Sequence, residues 1–238
     1  MAYRYKRVLL KLSGEILAGG GRFGLDYAAV NSLCSEIASV ARAGAEVAMV
    51  VGGGNFIRGA QAVDQGMDRV QADNMGMLAT VINALALQDA LERIGTPTRV
   101  QTAIESRTIA EPFIRRRALR HLEKGRIVIF AAGVGSPYFS TDTAAALRAS
   151  EIKADCLLKA TKVNGIYDMD PKLFPDAKLL PRVSYMDALQ MQLGVMDAAA
   201  FSLCMENKMP IVVFNMLEKG SLEKLLLEGA EIGSTVCE

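Results

Sequence analysis

Lys11, Arg58 and Asp142 each stand beside a glycine-rich turn that closes a short apolar run. Lys11 interrupts Val8-Leu9-Leu10-Lys11-Leu12, just ahead of Ser13-Gly14. Arg58 follows Gly52-Gly53-Gly54-Asn55, which ends the run Val47-Ala48-Met49-Val50-Val51. Asp142 ends the stretch Gly133-Val134-Gly135-Ser136-Pro137-Tyr138-Phe139-Ser140-Thr141-Asp142, which comes after Ile127-Val128-Ile129-Phe130. Backbone N–H groups bared at a strand end, or at a helix N-terminus, favour negative charge. Lysine adds a point charge and arginine a planar fork. This chemistry suits the holding of phosphate, and three such turns suit more phosphate groups than one mononucleotide carries.

Each of these residues also has a plainer reading. By alternation Lys11 shares a face with Leu9 and points toward a covered side of the sheet, where an unpartnered ammonium is costly. It either reaches a phosphate or snorkels from the strand tip. Three glycines in a row serve no packing purpose and let the backbone approach a ligand; Arg58 then binds that ligand or is simply solvated. Ser140, Thr141 and Asp142 suit a helix cap and first turn, so Asp142 either caps or orients nearby lysines. Asp197 carries the same two readings ahead of a helix at 198–207.

The elements that must position these groups alternate along the chain. Apolar runs predict strands at 5–12, 46–51, 98–101, 126–130, 156–160 and 211–214, and periodicity predicts helices at 27–42, 70–94, 109–123, 141–151, 185–191, 198–207 and 221–228. Asp26 is the expected N-cap of the first long helix and Gly44 its stop. Such alternation implies a largely parallel sheet covered on both faces. Residues 161–182 break the rhythm with Asn164-Gly165, Asp170-Pro171 and Phe174-Pro175-Asp176, and read as a long irregular connection around Gly165-Ile166-Tyr167.

Composition narrows the classes. A chain of 238 residues with 51% hydrophobic and 22% charged residues is globular, and a net charge of +1 points to neither nucleic acid nor an anionic membrane. Cys34, Cys156, Cys204 and Cys237 form no Cys-x-x-Cys pair and read as reduced cytoplasmic thiols. His121 is the only histidine, so no transition-metal site is expected. The basic start, Arg4 to Arg7, is followed by an apolar run too soon broken for a signal peptide, and the stretch 74–91 carries Asn83, Gln88 and Asp89, as a core helix does. Arg115-Arg116-Arg117, Arg120, His121, Lys124 and Arg126 read as a solvated helix face or a secondary anion site. No Walker A pattern occurs. Gly19, Gly21 and Gly24 satisfy Gly-x-Gly-x-x-Gly, but they do not follow a strand directly, which argues against dinucleotide binding and for a plain glycine-rich loop.

Taken in order, Lys11-Leu12-Ser13-Gly14-Glu15, Gly52-Gly53-Gly54-Asn55 with Arg58-Gly59, Asp73-Asn74-Met75-Gly76-Met77-Leu78-Ala79-Thr80, Gly135 to Asp142, Leu158-Lys159-Ala160-Thr161-Lys162-Val163-Asn164-Gly165 and Asp170-Pro171 resemble the amino-acid-kinase superfamily and, within it, the bacterial uridylate kinases. The resemblance spans essentially the whole chain. It implies an α/β fold, a three-layer αβα sandwich with a mostly parallel central sheet, as a single domain over 1–238. The acceptor would bind in about 1–150 and ATP in about 151–238. The implied reaction is transfer of the ATP γ-phosphoryl group to UMP with Mg²⁺. Lys11, Arg58 and Asp142 would be catalytic. Lys11, Leu12, Ser13, Gly14, Gly54, Arg58, Thr161, Asn164, Tyr167 and Asp170 would bind ATP. Gly53, Asp73, Val134, Gly135, Ser136, Pro137, Tyr138, Phe139, Ser140 and Thr141 would bind UMP, with Arg58 also reaching its phosphate. The loop Gly19, Gly20, Gly21, Arg22, Phe23 and Gly24 corresponds to a region linked to activation by GTP; inhibition by UTP and a hexamer are also typical of that family. Members that phosphorylate carboxylates carry a lysine shortly after a Gly-Gly-Met turn. The comparable stretch Gly194-Val195-Met196-Asp197-Ala198-Ala199-Ala200 has none, which argues for a nucleotide acceptor and leaves another superfamily kinase, or a non-catalytic nucleotide binder, as the alternatives.

Overall fold

The computed structural model describes residues 5–21, 23–191 and 193–238. Its strands are β1 (Arg7–Leu12), β2 (Glu46–Val51), β3 (Thr98–Thr102), β4 (Glu111–Pro112), β5 (Ile127–Ala131), β6 (Cys156–Thr161), β7 (Arg182–Ser184), β8 (Ile211–Asn215) and β9 (Ser234–Cys237). They form a nine-stranded sheet in the order β4-β3-β5-β2-β1-β6-β8-β9-β7. Neighbours are parallel except β8 and β9, which pair antiparallel; β7 pairs parallel with β9, so the last two strands run against the rest.

The helices are α1 (Gly14–Leu17), α2 (Tyr27–Arg42), α3 (Gly59–Asp64), α4 (Arg69–Arg93), α5 (Arg115–Glu123), α6 (Thr141–Glu151), α7 (Tyr185–Gln190), α8 (Ala198–Glu206) and α9 (Ser221–Leu226). The central strand β1 sorts them into layers. Its Val8, Leu10 and Leu12 pack with Ile37 of α2, Leu87 of α4 and Leu222 of α9. Its Leu9 faces the other way, with Leu122 of α5, Ala145 of α6, Tyr185 of α7 and Phe201 of α8. The period of two along a strand thus directs successive side chains into two different cores. Asp26 caps α2 as expected, accepting from Ala28 N at 2.9 Å and Ala29 N at 3.2 Å.

The helix expected over 109–123 begins only at Arg115. Pro112 disfavours a helical Glu111 before it and lacks the N–H a helix needs, and the pair instead forms β4 at the sheet edge, where proline is tolerated. Of the connection expected over 161–182, Thr161 ends β6 and Arg182 begins β7; residues 162–181 between them are irregular, with one antiparallel bridge between Tyr167 and Leu179.

The turn into β9 is tightly enclosed. Gly233 has φ +74°, and a Cβ there would lie 2.1 Å from Val213 O and 3.1 Å from Phe214 Cα. Gly233→Ala combines left-handed strain with overpacking and should cost about 2–5 kcal/mol. Urea denaturation checks this; an unchanged midpoint would mean the turn yields freely.

Candidate active site

Strand register builds the centre of the site. In the parallel ladder of β1 and β6, Lys11 pairs directly with Lys159, so two lysines lie side by side on one face. Between them enters Asp142, from the first turn of α6, whose N-cap Ser140 accepts from Asp142 N at 2.9 Å and Thr143 N at 3.2 Å. Lys11 Nζ stands 2.6 Å from Asp142 Oδ1, and Lys159 Nζ stands 2.8 Å from Asp142 Oδ2. All three side chains are largely buried, at 13%, 15% and 17% exposure for Lys11, Asp142 and Lys159. Burial pushes the Asp142 carboxyl up, but Lys11 and Lys159 together outweigh it and hold the group below its usual range. Burial pushes the Lys159 ammonium below its ordinary value; Asp142 offsets part of this and Lys11 adds to it. Lys159 also donates to Val195 O. Lys11 has only Asp142 among the described residues, which leaves two of its three N–H groups for a ligand.

Of the two readings of Asp142, orientation of lysines is therefore the one observed. Lys159 was not among the expected site residues. Its signal was the one that marked Lys11, a lysine inside an apolar strand. It reaches the lysine-free stretch 194–200 from β6, through Val195 O.

The glycine turns close around this centre. Leu12 is buried and contributes its backbone, accepting from Gly52 N at 2.9 Å. A Cβ on Gly14 would lie 2.5 Å from both Gly52 O and Asn55 Oδ1, so the first two turns touch. Gly53 corrects the expectation that these glycines do no packing. A Cβ there would lie 2.7 Å from Gly76 O and 2.8 Å from Ala79 Cβ, so its smallness lets the turn sit on α4. Gly54 is open by comparison, with Glu15 Cγ at 3.9 Å the one near atom. Arg58 pairs with Glu15 at 2.5 Å, and Glu15 also lies 3.6 Å from Lys162.

Two cavities lie near this centre, one reaching Lys159 and the other reaching Thr141, the neighbour of Asp142. One of about 120 Å³ is lined by Gly53, Val134, Ser136, Phe139 and Thr141, all expected to bind UMP, and by Gly54, expected to bind ATP, among others. Gly135 has φ +85° and packs so closely on Ala103 that a Cβ would lie 2.9 Å from its carbonyl oxygen. Asp73 Oδ2 accepts from Tyr138 N at 2.8 Å and from Arg69 Nε at 2.8 Å, while the Arg69 guanidinium lies 5.4 Å from the Tyr138 ring centre. Asp73 thus joins α4 to the loop that holds Pro137 and Tyr138. The other cavity, about 470 Å³, is lined by Lys159, Thr161, Tyr167, Asp170, Gly194 and Val195 among others. Asn164 borders the neighbouring groove with Lys162 and Tyr167, and its Oδ1 accepts from Asn215 Nδ2 at 2.9 Å. Ser13 caps α1, and Asp197 caps α8 while accepting from Ser140 Oγ and from Thr143 Oγ1 at 3.0 Å.

The loop of Gly19, Gly20, Gly21, Phe23 and Gly24 follows α1, not a strand; Arg22 lies outside the described residues. Gly24 N donates to Asn55 O at 2.9 Å, and Phe23 packs edge-on against Phe56 with centroids 5.6 Å apart. The basic cluster is not one solvated face: His121 is buried, 3.1 Å from Glu111 Oε2 and 3.1 Å from an Arg126 nitrogen. Arginine only donates, so His121 Nδ1 accepts and its Nε2–H donates to Glu111. Among the described residues no group of three or more His, Cys, Asp or Glu side chains could hold a metal ion, and no helix is long and apolar enough to cross a membrane.

The sequence matches the amino acid kinase family over residues 6–215. The fold is similar to that of the UMP kinase from Bacillus anthracis, with a TM-score of 0.94 and 39% identity over 98% of this chain and 96% of that one. The UMP kinase from Ureaplasma parvum has a TM-score of 0.92 and 36% identity over 99% and 100% of the two chains. The uridylate kinase from Archaeoglobus fulgidus is more distant, at 0.71 and 26% over 97% and 99%.

Because the folded Asp142 pKa is depressed, its contribution to stability is complete above the ordinary carboxylate value near ~3.9 and is lost as pH falls through the lower folded value. Asp142→Asn leaves two buried ammoniums without their counter-charge and should cost about 3–5 kcal/mol at neutral pH. In urea denaturation the gap between wild type and variant should narrow on acidification; a gap that is constant with pH would contradict this account of the cluster.

Proposed function

The chain belongs to the amino acid kinase family, and from that premise we propose that it transfers the γ-phosphoryl group of ATP to UMP, giving UDP and ADP. The observation that carries the reading is the buried Lys11–Asp142–Lys159 cluster, with one cavity reaching Lys159 and another reaching Thr141 beside Asp142. The alternation of catalytic cations and glycine backbone around it is what phosphoryl transfer requires. A phosphate monoester has its second pKa near ~6, so the acceptor oxygen of UMP is already ionised at neutral pH and needs no general base. The transfer then depends on alignment and on neutralising charge. Asp142 serves by holding two ammoniums in place, and its depressed pKa makes it a poor proton acceptor.

In this reading the larger cavity takes the ATP nucleoside against Thr161, Tyr167 and Asp170, with Asn164 at its border. Lys11 and the backbone of Leu12, Ser13, Gly14 and Gly54 face the transferring phosphoryl group. Mg²⁺ enters with ATP as part of the substrate. The smaller cavity, with residues 134–141, holds UMP; Gly53 and Arg58 face its phosphate and Asp73 its ribose. Because Asp73 is bonded to Tyr138 N and Arg69, ribose binding exchanges those bonds for hydroxyls. The N-terminal part, about 1–150, supplies the acceptor side and the part from about 151 to 238 the ATP nucleoside side.

Regulation and assembly belong to the same proposal. The bond from Gly24 N to Asn55 O supports communication between the loop 19–24 and the second glycine turn, as activation by GTP needs; UTP is the expected inhibitor. Met75, Leu78 and Ile82 form an exposed apolar row on α4, which supports a homo-oligomer, a hexamer by the family pattern. Among the described residues no disulfide joins the four cysteines, in keeping with a cytoplasmic setting.

ADP release measured over UMP, CMP, AMP, glutamate, aspartate and carbamate should be fastest with UMP, and Lys11→Met should lower kcat by about 10²–10³-fold. Equal rates with a second acceptor, or full turnover by the Lys11 variant, would remove the specificity or the role given to Lys11.

A further inference from the structure

One face of α4 carries a polar row at Asp73, Gly76, Thr80 and Asn83, three and four residues apart and so in line on the helix. Every member meets a turn of the site. Asp73 accepts from Tyr138 N, and Gly76 O receives the close approach of Gly53. Thr80 Oγ1 accepts from Ala132 N at 2.7 Å, at a residue held at φ +62°. Asn83 reaches deepest. It is 0% exposed, and its Nδ2 donates to Gly52 O at 2.7 Å and to Asn55 Oδ1 at 2.7 Å. Its Oδ1 accepts from Asn55 Nδ2 at 3.0 Å, and Asn55, 1% exposed, gives its other N–H to Gly24 O at 2.8 Å.

Burying two amides is costly unless every donor is used, and here all four N–H groups are. An alanine or leucine at position 83 would fill a helix core more simply. The amide supplies something neither can, a fixed direction for the Gly52 carbonyl. In a trans peptide the C=O and the next N–H point opposite ways. With Gly52 O drawn to Asn83, Gly53 N–H is turned away from Asn83, and Gly53 itself lines the smaller cavity with Gly54 and Thr141. Asn55 pins the far end of the same turn.

We propose that Asn83 is a positioning residue for phosphoryl transfer: through Gly52 and Asn55 it aims the Gly53 N–H at the phosphate passing between donor and acceptor. The inference rests on the UMP kinase reading and deepens it, adding a residue that touches no substrate. An error of about 1 Å at a reacting centre costs about 10²-fold in rate, so Asn83→Ala should lose about that much kcat while binding of ATP and UMP, measured by calorimetry, changes little. Both proteins are assayed well below their own melting temperatures, and Asn83→Ser gives the same comparison if the alanine variant does not fold. A variant that melts earlier but keeps wild-type kcat would show the amide to be structural only and overturn the inference; so would a loss confined to binding. The wild-type control separates the two levels, because absence of UMP turnover there overturns the underlying reading itself.

Discussion

One carboxylate shared by two ammoniums is the constraint on which the site depends. Asp142 can serve Lys11 and Lys159 together only because β1 and β6 are parallel neighbours in a register that sets those lysines abreast. It also requires α6 to begin where β5 and its glycine turn deliver it, with Ser140 closing the first turn. Each ammonium alone would be expensive so far from water, and the carboxylate alone equally so. Together they form a compact site of net positive charge with N–H groups to spare, pre-aligned for an anion. The sheet can therefore be understood as a ruler whose purpose is to hold three charges within hydrogen-bonding reach.

Around that charge the backbone does the finer work. Gly14 and Gly53 are small for steric reasons, since the turns approach each other and α4 more closely than a Cβ allows. Ala132 and Tyr138 hold positive φ without being glycine, and each has its N–H accepted by a side chain of α4, Thr80 and Asp73. Unfavourable backbone angles persist where neighbours over-determine them. Here one helix supplies the partners, so α4 acts as a template for the stretch 132–138.

Much of this was legible in residue order. Apolar runs ending in glycine located β1, β2 and β5, and the misfit of Lys11 in β1 pointed to the site, because burial of a lone charge demands a reason. The same logic applies to Lys159, a lysine inside the apolar run of β6. Strand register, which pairs the two lysines, is a tertiary property that no local pattern carries. The helix expected from 109 failed at Pro112, whose local chemistry overrides the apolar rhythm. β7 and β9 are three and four residues long and held by sheet neighbours, too short for a periodic signal. Asn83 stands out in the sequence as a polar interruption of an apolar helix, but its partners, Gly52 and Asn55, are distant in sequence.

The place of β1 in the middle of the sheet has a consequence for the order in which the chain can fold. β2 follows it closely, but its other neighbour is β6, and Lys6 N reaches Asp155 at a separation of 149 residues. Contacts so far apart in sequence form slowly, and an unfinished sheet exposes a bare edge meanwhile. During synthesis β1 therefore remains an edge strand until residues 156–161 have emerged, and Lys11 sits on that open edge. Closing the sheet and completing the charge cluster are one event, so an immature chain that has not paired β1 with β6 has no assembled site with which to act.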